Sequence, residues 1–201
     1  MIPKLGPTVT TSDPHFRGAG LADLCITWAP PGARPNLSAS EIAGPIAVFE
    51  ATDRSGLAIV RPGSGGLAYS GETGTYRHWR TEPPDTEGIF GNAPYLLAVR
   101  LYVPESYRDE VRRWLDEEHI AQQLGVSGAF WYQGYEASSG RFAFLNLWGL
   151  RDPGVIQTPE WTAARDSAWR QRLLPAFHET DRAVYRRLVE QTPRPVEEAD
   201  W

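Results

Sequence analysis

The chain has 201 residues, a formal net charge of −5 and a single cysteine, Cys25. That length suits one domain, or two small repeats sharing a core. One thiol excludes an internal disulfide and a cysteine metal cluster, and an acidic balance without a basic run argues against a nucleic-acid surface. No apolar run approaches a membrane span and the N-terminus lacks an apolar signal core, so the sequence predicts a cytoplasmic protein. Eight tryptophans supply bulk for a core or for a ligand cavity.

Residues 1–20 carry Pro, Gly, Ser and Thr without periodicity and read as an irregular arm. Residues 21–28 form a short apolar run closed by Ala-Pro-Pro-Gly, a strand and its turn. Residues 31–44 have room for a single helical turn. Strands follow at 46–52 and 57–60 around an Asp-Arg-Ser-Gly turn, then a Gly/Ser-rich loop with a short strand at 67–69, then an alternating strand at 75–80. Residues 81–94, rich in Pro, Gly and Asp, read as a linker between a mostly β region, 21–80, and a second region, 95–190, with a tail at 191–201.

The second region has clearer signals. A strand at 95–103 is stopped by Pro104. Residues 105–124 read as an amphipathic helix, with Tyr107, Val111, Trp114 and Leu115 on one stripe at spacings of three and four. His119 falls four residues beyond Leu115, which places an ionisable ring on that apolar stripe. Strands at 126–137 and 141–150 flank a Ser-Ser-Gly turn. Thr158 caps a helix with Pro159 at its first position, running to Pro175. A strand at 183–189 closes a β-α-β-β-α-β order, the ferredoxin-like arrangement.

The two regions repeat one another. Phe49 to Ile59 aligns with Tyr135 to Phe144 through Glu-Ala and a Ser/Gly turn, and Tyr76-Arg77 aligns with Tyr185-Arg186. Pro30 to Glu50 is shorter than Pro104 to Glu136 by about three helical turns, and Glu50 to Tyr76 is far shorter than Glu136 to Tyr185. The predicted fold is therefore α+β: a ferredoxin-like second half beside a degenerate, helix-poor first repeat, their sheets forming an α+β barrel.

Polar groups stand where apolar ones are expected. Asn146 shares parity with Phe142, Phe144 and Trp148, Gln133 with Trp131 and Tyr135, and Arg100 with Tyr102. If buried, each needs a protein partner or a ligand. Phosphate loops, dinucleotide-binding glycines, zinc spacings and nucleophile elbows are absent from the sequence.

Trp114, Glu118 and His119, followed by Val126-Ser127-Gly128-Ala129 and then by RFAFLNLWGL and TPEWTAARDSAWRQRLLPAF, make residues 95–190 resemble the EthD-like branch of the dimeric α+β barrel superfamily. The resemblance implies a pocket between sheet and helices with His119 projecting into it. It implies a lyase, cyclase or isomerase (dehydratase-like) that needs no cofactor and acts in secondary metabolism. His119 would be the acid–base group for a hydrophobic, polyketide-type or aromatic substrate. Tyr102, Trp114, Trp131, Gln133, Tyr135, Asn146 and Trp148 are the candidate substrate contacts. A non-catalytic small-molecule binder, a haem enzyme ligated by His119 or His178, and a cofactor-free oxygenase remain open beside it. So does the purely structural role of a histidine bonded to a carbonyl at a helix end. His78 stands on a strand of unassigned facing, and His15 lies in the arm. No metal, nucleic-acid or membrane partner is expected. The chain is either a monomer with an internal pseudo-dimer or a homodimer.

Overall fold

The computed structural model describes residues 23–29, 46–52, 56–62, 72–84, 86, 93–138 and 140–191. The expected arm, the helical turn within 31–44, the strand at 67–69, Pro30, His15, half of the linker and the tail beyond 191 lie outside those residues.

The described residues form eight strands: β1 Leu24–Ala29, β2 Ile46–Ala51, β3 Leu57–Pro62, β4 Glu72–Glu82, β5 Tyr95–Tyr102, β6 Ala129–Ala137, β7 Phe144–Leu150 and β8 Glu179–Gln191. They close into an antiparallel barrel in the order β1-β3-β2-β8-β5-β7-β6-β4. The second half contributes β8-β5-β7-β6 and the first contributes β4-β1-β3-β2, so both keep the ferredoxin-like order of fourth, first, third and second strand. Two seams, β6–β4 and β2–β8, join the halves.

The repeated motifs sit at those seams. Tyr76 pairs in register with Ala137, and Tyr185 with Ala51. One residue on, Arg77 meets Glu136 at 3.1 Å and Arg186 meets Glu50 at 2.8 Å. The same Tyr-Arg pair therefore faces the same Glu-Ala pair twice, as an internal two-fold requires. Closure gives each strand two neighbours, which leaves no open β edge among the described residues.

Strand alternation makes two cores. Leu24, Ile26, Phe49, Val60, Leu96, Trp131, Tyr135, Leu145 and Leu147 fill the barrel interior. Leu97, Leu101, Phe144, Trp148 and Leu150, on the other face of the second sheet, pack under the helices with Val111, Trp114, Leu115, Ile120 and Trp161. Fully burying each such aliphatic side chain is worth about 1.5–3 kcal/mol before entropy is counted.

All the described helices belong to the second half, and two of them depart from the sequence reading, as does one strand start. The helix expected over 105–124 is a 3₁₀ turn at Glu105–Tyr107, α1 at Arg108–Trp114, a π-helical turn at Leu115–His119 and α2 at Ile120–Leu124. The single helix expected from Thr158 to Leu174 is two. α3 at Pro159–Arg165 is capped by Thr158, whose Oγ1 accepts from Trp161 N, and α4 at Ala168–Leu173 is capped by Ser167, whose Oγ accepts from Arg170 N. Strand β6 starts at Ala129 rather than 126, because Gly128 turns the chain at φ +96° against Val155.

Candidate functional site

The π-helical turn decides what lies beneath the first helix. In a regular α-helix His119 would follow Leu115 on the buried stripe. Here the N–H of Ile120 bonds the carbonyl of Leu115, five residues back, so Ile120 inherits the buried position and His119 moves to its margin. The imidazole then stacks on Trp114 at 4.2 Å between centroids and stands edge-on to Trp148 at 5.7 Å.

Below it is a cavity of about 300 Å³, at the small end of ligand pockets. Its floor is Leu97, Val99 and Leu101 of β5, Asn146 and Trp148 of β7, and Thr180 and Arg182 of β8. Its roof is Trp114, Leu115, His119 and Gln123. Its third wall comes from the broken helix: Trp161, Arg165, Arg170, Leu174 and Phe177. Leu174 and Thr180, both exposed, mark the mouth. No Asp or Glu lines the cavity, whereas His119, Arg165, Arg170 and Arg182 do.

Of the predicted contacts, the structure gathers His119, Trp114, Asn146 and Trp148 at this cavity. Trp131, Gln133 and Tyr135 project instead into the barrel, because alternation along β6 turns them to the sheet's opposite face. There the Tyr135 hydroxyl donates to Gln133 Oε1 at 3.1 Å, and His78 bonds Thr81. Tyr102 is 37% exposed at the end of β5, beside His178, which is also exposed, and neither lines the cavity. Arg100 lies between the rings of Trp28 and Phe142 and ion-pairs with Asp181 and Glu72.

Two supports of the cavity carry no obvious sequence signal. The Tyr132 hydroxyl donates to Asn146 Oδ1 at 2.6 Å, which fixes the amide and leaves its NH2 as the group free to donate. Gly134 makes that reach possible, since a Cβ there would overlap both the Tyr132 hydroxyl and Trp79. Trp79, at a bulge in β4, brings the first half over the seam, and Arg112 of α1 lies 4.3 Å above its ring. Arg80 then bonds Asp116 at 3.1 Å and Arg112 bonds Glu136, so the helix is tethered to both halves of the barrel.

Electrostatics follow from the lining. Burial, reinforced by the guanidiniums of Arg170 and Arg165, lowers the His119 pKa to about 3. Its Nδ1 is buried without a hydrogen-bond partner. At neutral pH only roughly one molecule in ten thousand then carries the imidazolium. The ring is a neutral hydrogen-bonding group rather than a ready proton donor. Burial likewise raises the Tyr132 phenol well above its ordinary value, so it stays protonated and donates. Among the described residues, no group of three or more His, Cys, Asp or Glu is arranged to hold a metal ion. No described helix is long and apolar enough to cross a membrane.

No protein-family model matches the chain and no curated protein does. Solved structures do. An anthrone oxidase-like protein superposes with a TM-score of 0.59 at 13% identity, covering 86% of this chain and 94% of its own. A major regulator of staphylococcal pathogenesis gives 0.57 at 12%, covering 83% and 99%. A ferredoxin-fold protein related to antibiotic biosynthesis monooxygenases, from Listeria monocytogenes, gives 0.54 at 13%, covering 88% and 99%. Others are described as monooxygenase-like or haem-degrading. At these identities the likeness shows the fold: a ferredoxin-like α+β barrel shared with monooxygenase-like proteins.

Proposed function

We propose that the cavity is the active site of a cofactor-independent oxygenase acting on a flat, hydrophobic ring ketone or phenol of polyketide type. The observation that carries this is a neutral imidazole and a fixed amide donor set in an aromatic cavity that no carboxylate lines. Those groups suit an enolate or phenolate oxygen, whose charge they stabilise by hydrogen bonds already in place. The substrate gives up its proton to solvent water at the mouth. Its electron-rich ring carbon then adds O2, the peroxide takes a proton and loses water, and a CH2 becomes C=O. One oxygen atom enters the product and one leaves as water, with all four electrons supplied by the substrate. The neighbours described as anthrone oxidase-like and monooxygenase-like support this reading.

The same electrostatics weigh against a lyase, cyclase or isomerase driven by His119 acid–base cycling, because such a cycle draws on the imidazolium that burial suppresses. A haem is a poor fit: the imidazole is stacked on Trp114, and the cavity is small. The EthD-like placement rests on the sequence motif of Trp114, Glu118, His119 and Gly128, beside solved neighbours described as anthrone oxidase-like and related to antibiotic biosynthesis monooxygenases. The barrel closed within one chain supports a monomer with an internal pseudo-dimer.

An oxygen electrode tests the function. With an anthrone or dihydroxynaphthalene, chelator present and no flavin or haem added, oxygen falls in proportion to substrate. His119→Ala and Asn146→Ala each lower kcat about 100-fold, the loss typical of one oxyanion donor. Substrate consumed without oxygen returns the lyase or cyclase reading, and substrate bound but unchanged returns a binding protein.

A further inference from the structure

We infer that the ligand of this cavity carries an acid group, seated against Arg165 and Arg170, while its ring lies among Trp114, Trp148 and Trp161. The inference rests on reading the cavity as the substrate site and goes further by naming what the substrate must bear.

The break between α3 and α4 builds the seat. Residues 165 and 170 would stand about 140° apart on a continuous α-helix. Asp166 leaves the helix at φ −94°, ψ 58°, and Ser167 starts α4 afresh. Both guanidiniums therefore line the same cavity wall and reach the same carboxylate. Arg165 bonds Asp166 at 3.0 and 3.2 Å, and Arg170 bonds it at 3.0 Å. Asp166 is exposed and lies outside the cavity lining. One carboxylate thus serves two guanidiniums and leaves one unit of positive charge unbalanced among the three, beside a cavity with no Asp or Glu among its described lining residues.

Arginine presents a planar fork that matches a carboxylate, so a ligand acid completes the set. The groups facing the pair point the same way. His119 is neutral, and Gln123, Asn146 and Thr180 are uncharged. Arg170 is itself held below its ordinary pKa, by burial and by its neighbour Arg165, a repulsion that an anion would relieve.

Two fluorescent probes isolate the acid group: 8-anilinonaphthalene-1-sulfonate, and N-phenyl-1-naphthylamine, the same ring system without the sulfonate. The parent protein should bind the sulfonate at least tenfold more tightly at low salt. In the Arg165→Gln/Arg170→Gln double variant that preference should vanish, with the affinity for the uncharged probe unchanged. Near-UV circular dichroism checks that the variant keeps its packing, and each single substitution serves if the double one does not. Equal affinities in the parent, or a preference that survives both substitutions, would overturn the inference. The assay reads binding and not turnover. An anion preference without oxygen uptake therefore removes the oxygenase and keeps the seat, whereas uptake with an uncharged ring and no preference does the reverse.

Discussion

Burial of His119 makes the protein's stability depend on pH in a way that can be worked out in advance. The ring's pKa is about 3 in the folded chain against an ordinary 6.5, so between those values the unfolded chain binds more protons. The stability contributed by the neutral ring is fully present above pH 6.5 and is lost as pH falls towards 3. The loss approaches about 1.4 kcal/mol per pH unit, and by pH 5 it amounts to roughly 2 kcal/mol relative to pH 8. Urea unfolding at pH 8, 7, 6 and 5 measures it, compared with His119→Gln, which keeps a polar side chain and removes the titration. His78 is also shifted downwards, chiefly by burial, but it is common to both proteins and cancels in the difference. Parent and variant should diverge by roughly 2 kcal/mol across that range, the variant being the less sensitive. Parallel pH profiles, or an NMR titration placing the His119 ring near 6.5, would show that the imidazole is solvated and that the site has been misread.

Other expectations concern the frame that holds the site. Gly149→Ala should destabilise the fold by about 1–3 kcal/mol in thermal or urea unfolding, because a Cβ there overlaps the Trp131 indole inside the barrel. Tyr132→Phe leaves Asn146 Oδ1 without its donor, costs about 1–2 kcal/mol of stability, and lowers kcat by freeing the amide to rotate. Glu50→Gln, at the exposed seam pair with Arg186, should cost under about 1 kcal/mol in the same assay, since exposed ion pairs are worth little and closure rests on the strand ladders.

The barrel was legible because its two seams are written twice. Tyr-Arg and Glu-Ala recur in the sequence and then pair with each other across both joins, so a weak repeat carried real topology. The described helices all lie in the second half, where the longer spacings between matched positions leave room for them. The site was legible only by half. Parity grouped Asn146 with Trp148, and Gln133 with Trp131 and Tyr135, but it holds no information about which face of a sheet meets the helices. The candidate contacts consequently divided between the cavity and the barrel interior. The π-helical turn has no residue signature, so sequence spacing runs the stripe through His119 where Ile120 occupies its centre. The arginine pair is hidden in the sequence because a continuous helix would separate Arg165 from Arg170. The signal that would have found it is Asp166-Ser167 in mid-helix, a pair that caps and interrupts.

The most direct test of the central claim follows the oxygen atoms. The purified, metal- and haem-free protein would be given a ring ketone bearing a carboxylate under 18O2, and the product weighed by mass spectrometry before its carbonyl exchanges with water. One labelled atom in each new ketone, with the second recovered as labelled water, is the result expected of a cavity that holds an enolate for direct attack by O2. Product formed at the same rate without label, or in the absence of oxygen, would contradict it.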